Sequence, residues 1–173
     1  MIDTVLRVTQ NGCPKHELCE PEMALFSILQ LVRQDRRLST FSTALDLSDL
    51  ASYMDSQPHV TVFAPTNLAF SRLPDGKLRA WLSQPQMLRE VLLHHLVHQR
   101  LNLRDLISSR TVSTAGNALL RIEASATHVK VAEATIENCD ISASNGVLHV
   151  VGAVLAAVAP LPAAQHVPSR DSS

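Results

Sequence analysis

The chain has 173 residues, which is enough for one domain with a sizeable core and short for two domains. Its hydrophobic content of 46% and charged content of 18% are ordinary for a globular protein, and its formal net charge is -1. Acidic and basic residues are interleaved, and aromatic residues make up 3% of the chain. This composition argues against nucleic acid and against an anionic membrane surface as binding partners.

Residues 1–22 are polar, contain turn signals and lack the apolar stretch of a signal peptide, so we expect an N-terminal extension here. Cys13 and Cys19 lie in this segment, and Cys139 follows much later. An odd count of three cysteines fits a reducing compartment, or one free thiol, at least as well as a disulfide framework. Idle thiols are favoured over a zinc site formed by Cys13, His16 and Cys19, because zinc sites usually begin with a tighter cysteine pair and need a fourth ligand.

Between about residue 22 and residue 107, the apolar residues recur with the spacing of helices. We predict helices over 22–32, from Ser39-Thr40 onward, from Asp46 or Ser48 to Tyr53, from Asn67, over 78–82, from Pro85 to about His98, and over 103–107. The first is expected to bury Met23, Phe26 and Leu29. The longest is expected to bury an apolar stripe formed by Met87, Leu88, Val91, Leu92 and Leu96.

One strand interrupts these helices. Val60, Thr61 and Val62 are β-branched and predict a short buried strand, which Pro65 must end because proline cannot donate to a strand ladder. Thr66 is then a good N-cap for a helix that begins at Asn67, since its hydroxyl can accept a free backbone amide one turn further on.

After Arg110 the apolar residues alternate, which predicts strands over 111–113, 118–123, 128–132 and 135–137, and a loop over 138–144. Asn145-Gly146 predicts a tight turn, because both residue types tolerate positive φ. The next strand is apolar on both faces, with His149 on the face of Val147, so we expect it at the centre of the domain. A disordered tail is expected over 161–173. Helices followed by strands, without βαβ alternation, indicate an α+β fold.

Three of these motifs together resemble landmarks of the fasciclin-like domain family, an adhesion and interaction module. Residues 61–70 are similar to its first conserved box, residues 145–150 to its second, and residues 92–97 lie where the family has a Tyr-His pair. Residues 35–41 are similar to the usual entry to the domain, and the resemblance covers about residues 23–160. It implies an α+β domain with several N-terminal and central helices packed on a twisted two-sheet β wedge.

The resemblance also implies a non-catalytic binding role in adhesion, with a protein or glycan partner. From the residues themselves we expect no cofactor, metal or nucleic acid. The resemblance places the protein at the cell surface, outside the cell or in the periplasm. In animal members the Tyr-His region and an Asp-Ile pair are implicated in integrin-dependent adhesion, and the matching residues here are His94-His95 and Asp140-Ile141. Two residues depart from the family pattern, since His94 replaces the tyrosine and Leu68 replaces an acidic residue. The positions expected to be structural are Thr66, Asn67, His95, Asn145, Gly146 and His149.

Some residues have more than one interpretation. His94 and His98 have the i, i+4 spacing of a metal-chelating pair on a helix. The favoured alternative is that His95 is a hydrogen-bonded core histidine and that its neighbours are partly solvated at a helix end. Asp140 is either a turn residue bonded to its own backbone or, second in preference, an exposed contact residue. A dyad of Cys139 with a histidine has no activating neighbours, and no nucleophile or phosphate-binding motif is present. We therefore expect no enzymatic activity.

Three functional hypotheses follow, of which an adhesion module is the first. The second is an intracellular interaction subunit of a larger complex, located in the cytoplasm and favoured by the lack of a visible export signal and by an unpaired cysteine. The third is a small-ligand or metal-binding domain with a cleft near His94, His95 and His98. Separately, His149 is expected to be buried, neutral and hydrogen-bonded, which predicts a weak dependence of stability on pH.

Overall fold

The computed structural model describes residues 25–155. The expected N-terminal extension over 1–22 and the expected tail over 161–173 lie outside these residues, as does the part of the first predicted helix before residue 25. Within the described range, no helix combines the length and apolar content needed to cross a bilayer.

Seven α-helices lie within residues 25–155. They are α1 (Ile28–Gln34), α2 (Ser39–Leu47), α3 (Leu50–Ser56), α4 (Asn67–Ser71), α5 (Lys77–Ser83), α6 (Pro85–Leu93) and α7 (Leu103–Ser109). A 3-10 turn (Arg36–Leu38) joins α1 to α2. Every predicted helix has a counterpart, although several begin or end elsewhere than the apolar spacing indicates.

Seven strands of the same range form one sheet in the order β2-β1-β7-β6-β5-β4-β3. They are β1 (Val60–Pro65), β2 (Leu96–Val97), β3 (Thr111–Ser113), β4 (Leu119–Ala124), β5 (Val129–Val131), β6 (Ala134–Ala143) and β7 (Gly146–Val151). β1 and β7 are parallel, and the other neighbouring strands are antiparallel. The α+β fold is confirmed, and the strands expected as a two-sheet wedge are hydrogen-bonded in one continuous order.

The central strand is β7, which lies between β1 and β6 and is buried along its whole length. Leu148 and Val150 pack into a core that also contains buried residues of α1, α2, α3 and α6. Val151 packs into a second core together with Phe63, Leu106 of α7 and apolar residues of β3 to β6. Because the strand contributes to both cores, it is apolar on both faces, as its sequence predicts.

Helix α1 begins later than the apolar spacing predicts. Phe26 lies before the helix and is 39% exposed, so the expectation that it faces inward is wrong. The Ser27 hydroxyl accepts the N–H of Gln30, and the Gln30 side chain accepts the N–H of Ser27 (2.9 Å). This reciprocal capping box fixes the start of the helix. The buried face is formed by Ile28, Leu29, Leu31 and Val32.

Helix α6 ends at Leu93 and not near His98, because the chain then pairs with the sheet. His94 is the C-cap, and after His95 the residues Leu96 and Val97 form β2 against β1. Strand pairing with β1 depends on a distant segment, so the helical spacing of the apolar residues could not reveal it. Of the predicted stripe, Leu88, Leu92 and Leu96 are buried, Val91 is partly buried and Met87 is 46% exposed.

The predicted loop over 138–144 is in fact mostly the second half of β6. Its pairing with β7 shifts register between Ile136 and Asn138 and again between Asn138 and Ile141. Asp140 lies within the second shift and has a φ of 54°. Bulges interrupt the two-residue alternation of a strand, and asparagine and aspartate are poor strand formers, so this half of β6 resembles a loop in sequence.

The two ends of the strand order are brought together by the segment after β3. The backbone N–H of Ala115 donates to the carbonyl of Leu96 in β2 (2.7 Å), and the N–H of Gly116 donates to Leu93 at the end of α6 (3.2 Å). These bonds occupy the outer side of the short strand β2, which would otherwise be an open sheet edge.

Candidate functional site

The turn after β1 is organised by the side chains of Thr66 and Asn67. The Thr66 hydroxyl accepts the N–H of Ala69 (3.3 Å) and is the N-cap of α4. The Asn67 amide oxygen accepts the N–H of Thr40 in the first turn of α2 (3.0 Å), and its nitrogen donates to the carbonyl of Arg36 (3.0 Å). The first motif therefore holds the start of α2 and the 3-10 turn against α4.

Asn145 joins the ends of two helices. Its Oδ1 accepts the N–H of Ile28 at the start of α1 (2.9 Å), and its Nδ2 donates to the carbonyl of Met54 near the end of α3 (3.2 Å). Its backbone carbonyl accepts the N–H of Val60 in β1 (3.0 Å). At Gly146, a Cβ atom would lie 1.7 Å from the carbonyl oxygen of Val60, so no side chain fits there.

The Asn-Gly pair is required for a different reason than the turn signal suggests. Positive φ occurs within residues 25–155 at Asp49, His59, Gly76, Arg110, Asn117, Ala132 and Asp140. Neither Asn145 nor Gly146 is among them. Contacts of the asparagine side chain and close packing of the glycine explain these residues, whereas conformational freedom at positive φ does not.

His95 is fully buried, and both of its ring nitrogens are occupied. Nδ1 lies 2.9 Å from the carbonyl of Val91, and Nε2 accepts the N–H of Leu155 (3.0 Å). A carbonyl only accepts and an amide only donates, so the ring is neutral with its proton on Nδ1. Burial lowers the pKa of His95 to about 4, against the opposing effect of the Val91 carbonyl. A ring without exposed surface cannot contact a partner, so His95 is structural and the expected partner role for it is wrong.

His149 is also fully buried and hydrogen-bonded on both sides. Its Nε2 lies 2.9 Å from the carbonyl of Leu101, and its Nδ1 accepts the backbone N–H of Asp140 (3.2 Å). The ring stacks on Phe63 at 5.5 Å between centroids, and the N–H of Phe63 donates to the carbonyl of His95 (2.9 Å). Burial lowers the pKa of His149, while the Leu101 carbonyl and the Asp140 carboxylate raise it. Its proton is therefore on Nε2, the tautomer opposite to that of His95.

Asp140 is exposed and caps a distant helix. Its Oδ1 accepts the N–H of Leu103 in the first turn of α7 (2.7 Å), across a separation of 37 residues. The interpretation of Asp140 as a turn residue bonded to its own backbone is therefore wrong. Asp140, His149, Leu101 and Leu103 form a closed series of contacts, which we call the Asp140 bracket.

Thr61 supports this bracket, a role that its sequence context did not suggest. Its buried hydroxyl donates to the carbonyl of Gln99 (2.6 Å) and accepts the N–H of Leu101 (2.9 Å). The sequence indicates Thr61 only as a β-branched strand residue. A hydroxyl at a position buried between valines was the available signal, since buried polar groups need partners.

The histidines near the end of α6 are separated by the structure. His94 packs half-buried beside Gly116, its Nδ1 has no hydrogen-bond partner among the described residues, and burial lowers its pKa against the effect of Glu90. His98 lies beyond β2, with its Nε2 3.2 Å from the hydroxyl of Tyr53. The pair is not on one helix, so the chelating geometry expected from i, i+4 spacing is absent. Residues 25–155 contain no cluster of three or more His, Cys, Asp or Glu side chains placed to hold a metal.

Cys139 and Ile141 flank Asp140 in β6. Cys139 is disulfide-bonded, so it cannot act as the thiolate of a cysteine-histidine dyad. The other cysteines, Cys13 and Cys19, lie outside the described residues. Ile141 is partly buried against the core that contains residues of α1, α2, α3 and α6, and it pairs with Leu148 of β7.

Comparison with known proteins agrees with this architecture. The Fasciclin domain matches residues 36–157. Protein sll1483 of Synechocystis sp. is 33% identical over 131 residues, covering 75% of this chain and 72% of that protein. Transforming growth factor-beta-induced protein ig-h3 of Oryctolagus cuniculus is 26% identical over 130 residues, which cover 75% of this chain and 19% of that longer protein.

A solved structure agrees as well. A FAS1 domain pair from the insect cell adhesion molecule fasciclin I matches with a TM-score of 0.59 and 24% identity, over 69% of this chain and 45% of that chain. This likeness supports the fold. The family match over residues 36–157, with the 33% identity to protein sll1483, shows that the chain belongs to the fasciclin domain family.

Proposed function

We propose that this chain is a non-catalytic adhesion module that acts outside the cytosol and contacts a protein or glycan partner through the surface around Asp140. Its family is one of binding and adhesion modules. The residues proposed for partner contact are His94, Asp140 and Ile141, whereas the fully buried ring of His95 is not among them.

The observation that carries this proposal is that buried polar side chains are hydrogen-bonded to the backbone and hold distant segments together. His95, His149, Thr61 and Asn145 each bond backbone groups of distant segments. Such bonds fix the positions of exposed loops and leave these buried side chains no free group for chemistry on a substrate. A rigid scaffold that presents exposed residues is what a binding module requires.

The disulfide at Cys139 supports a location outside the cytosol. Disulfides persist in the periplasm, at cell surfaces and outside cells, whereas cytosolic thiols are kept reduced. Cys139 also lies directly beside Asp140, so its bond constrains the strand that carries the proposed contact residue.

Location and thiol state can be measured together. Cells that express the native gene are fractionated in the presence of an alkylating reagent, and the peptide containing Cys139 is analysed before and after reduction. We expect the protein in the periplasm, at the surface or in the medium, with Cys139 alkylated only after reduction. Protein confined to the cytosol with a directly alkylated Cys139 would contradict the proposal and favour an intracellular interaction subunit.

Adhesion is tested with cells of the organism that carries the gene, on surfaces coated with the purified full-length chain. We expect more cells to attach than to albumin, and fewer to attach to Asp140→Asn. Asparagine tolerates the positive φ and keeps an oxygen for the Leu103 amide, so this variant removes mainly the charge. Asp46→Asn, another exposed aspartate, is the matched control. Equal attachment to wild type and Asp140→Asn would remove Asp140 from the contact.

A further inference from the structure

The Asp140 bracket connects the proposed contact residue to a group that can be protonated. The backbone N–H of Asp140 donates to Nδ1 of His149, while the Asp140 carboxylate accepts the N–H of Leu103. The opposite side of the His149 ring bonds the carbonyl of Leu101. Both the backbone and the side chain of Asp140 are thus held in place, directly or through α7, by one buried ring.

We propose that His149 is the positioning residue for partner contact by Asp140, and that only its neutral ring holds Asp140 in the binding geometry. This inference rests on the proposed function and adds to it a control of adhesion by pH.

The donors and acceptors of the bracket explain why the ring must be neutral. Leu101 offers a carbonyl and Asp140 offers an N–H, so the ring must donate from Nε2 and accept at Nδ1. A proton added at Nδ1 would place two N–H groups against each other. The contact with Asp140 would then be lost, and with it the support of a backbone that lies at a φ of 54°.

Burial and the groups that face the His149 ring have opposite effects on its pKa. The Phe63 ring from β1 and the Leu101 carbonyl from the loop before α7 carry no net charge, and the carboxylate of Asp140 from β6 favours the protonated form. Burial disfavours that form more strongly, so the ring stays neutral at pH 7. As the pH falls below about 6.5, His149 is protonated first in molecules that are unfolded or in which the Asp140 bracket is open. In the closed bracket, the ring takes up a proton only at lower pH.

The bracket is tested first in the free protein, without a partner. NMR of the ring nitrogens of His149 is expected to show a proton on Nε2 and none on Nδ1 at pH 7. On acidification, the amides of Asp140 and Leu103 should shift with the midpoint of the His149 ring, whereas the amide of Leu155 should follow His95. Asp140→Asn should lower the midpoint of His149, because it removes the charge that favours protonation. A proton on Nδ1 at pH 7, or an Asp140 amide that does not titrate with His149, would overturn the inference.

The adhesion assay is then repeated at several pH values with two variants. We expect wild-type attachment to weaken by about tenfold as the ring is protonated. His149→Gln is expected to keep attachment at acidic pH, because a glutamine amide can donate and accept like the neutral ring but does not titrate. His149→Leu should bind weakly at all pH values if it folds. If the NMR titration shows that the bracket opens but cell attachment does not change with pH, the positioning role is refuted and the proposed function remains intact. Absence of attachment at every pH would refute both.

Discussion

At the scale of single residues, the sequence identifies important positions more reliably than it explains them. Asn145-Gly146 stands out as a turn signal, yet the glycine is required by the carbonyl of Val60 and the asparagine by two helix ends. Asp140 stands out through a family resemblance, and its contact with α7 depends on a residue 37 positions away. Contacts between distant segments have no local pattern, so their partners could not be read from the chain.

Replacement of Gly146 by alanine tests the packing explanation. A Cβ there would overlap the backbone of Val60, which cannot rotate away as a side chain could, so β1 and β7 would have to separate. We expect Gly146→Ala to lower the free energy of unfolding by about 3 kcal/mol or more in urea denaturation. The control is Gly76→Asn, because Gly76 has a φ of 81° and no atom within 4 Å of an added Cβ. Equal stability of the two variants would show that close packing is not the constraint.

At the scale of elements, the sequence predicts the start or end of a helix or strand where neighbouring residues, such as a cap or a proline, fix that boundary. Asn67 begins α4 after a proline and a threonine cap, as predicted. The start of α1 was also encoded, since Ser27 and Gln30 have the spacing of a capping box, but the apolar spacing from Met23 outweighed it in the prediction. The end of α6 and the second half of β6 depend on pairing with β1 and β7, which no local signal carries.

The cap of α1 is tested by Ser27→Ala. The alanine cannot accept the N–H of Gln30, so one turn of the helix loses its cap. We expect a loss of about 1 kcal/mol in the free energy of unfolding and faster hydrogen exchange in the first turn of α1. Ser83→Ala is a useful control, because this exposed serine lies at the end of α5 and its hydroxyl bonds only a carbonyl within its own helix. A helix that begins at residue 22 would leave Ser27 internal and make its replacement harmless.

At the scale of the whole molecule, two neutral histidines connect the cores to the surrounding loops. Both have folded-state pKa values lowered by burial, so the unfolded state takes up protons first as the pH falls. Their contribution to stability is complete above a pH of about 6.5 and decreases below it, toward a pH of about 4 for His95.

Urea denaturation between pH 7.5 and pH 5 measures this contribution. We expect His95 alone to cost roughly 2 kcal/mol of unfolding free energy over that range, because each unit of its depressed pKa corresponds to about 1.4 kcal/mol. His95→Gln should flatten the dependence on pH, even if it is less stable at pH 7.5. The matched histidine replacement is His59→Asn, at an exposed position with a φ of 59° that asparagine tolerates. A stability that does not change between pH 7.5 and pH 5 would contradict the neutral buried ring.

The contacts of Asn145 also determine when, during synthesis of the chain, the ends of α1 and α3 can complete their hydrogen bonds. Its amide completes the hydrogen bonds of Ile28 and Met54, which precede it by 117 and 91 residues. At translation rates of about 5–20 residues per second, Asn145 is synthesised on the order of 10 seconds after α1 and α3. The first three helices are therefore synthesised before β7, with which they share a core, so we expect their apolar faces to lack that partner until the hairpin of β6 and β7 has been made.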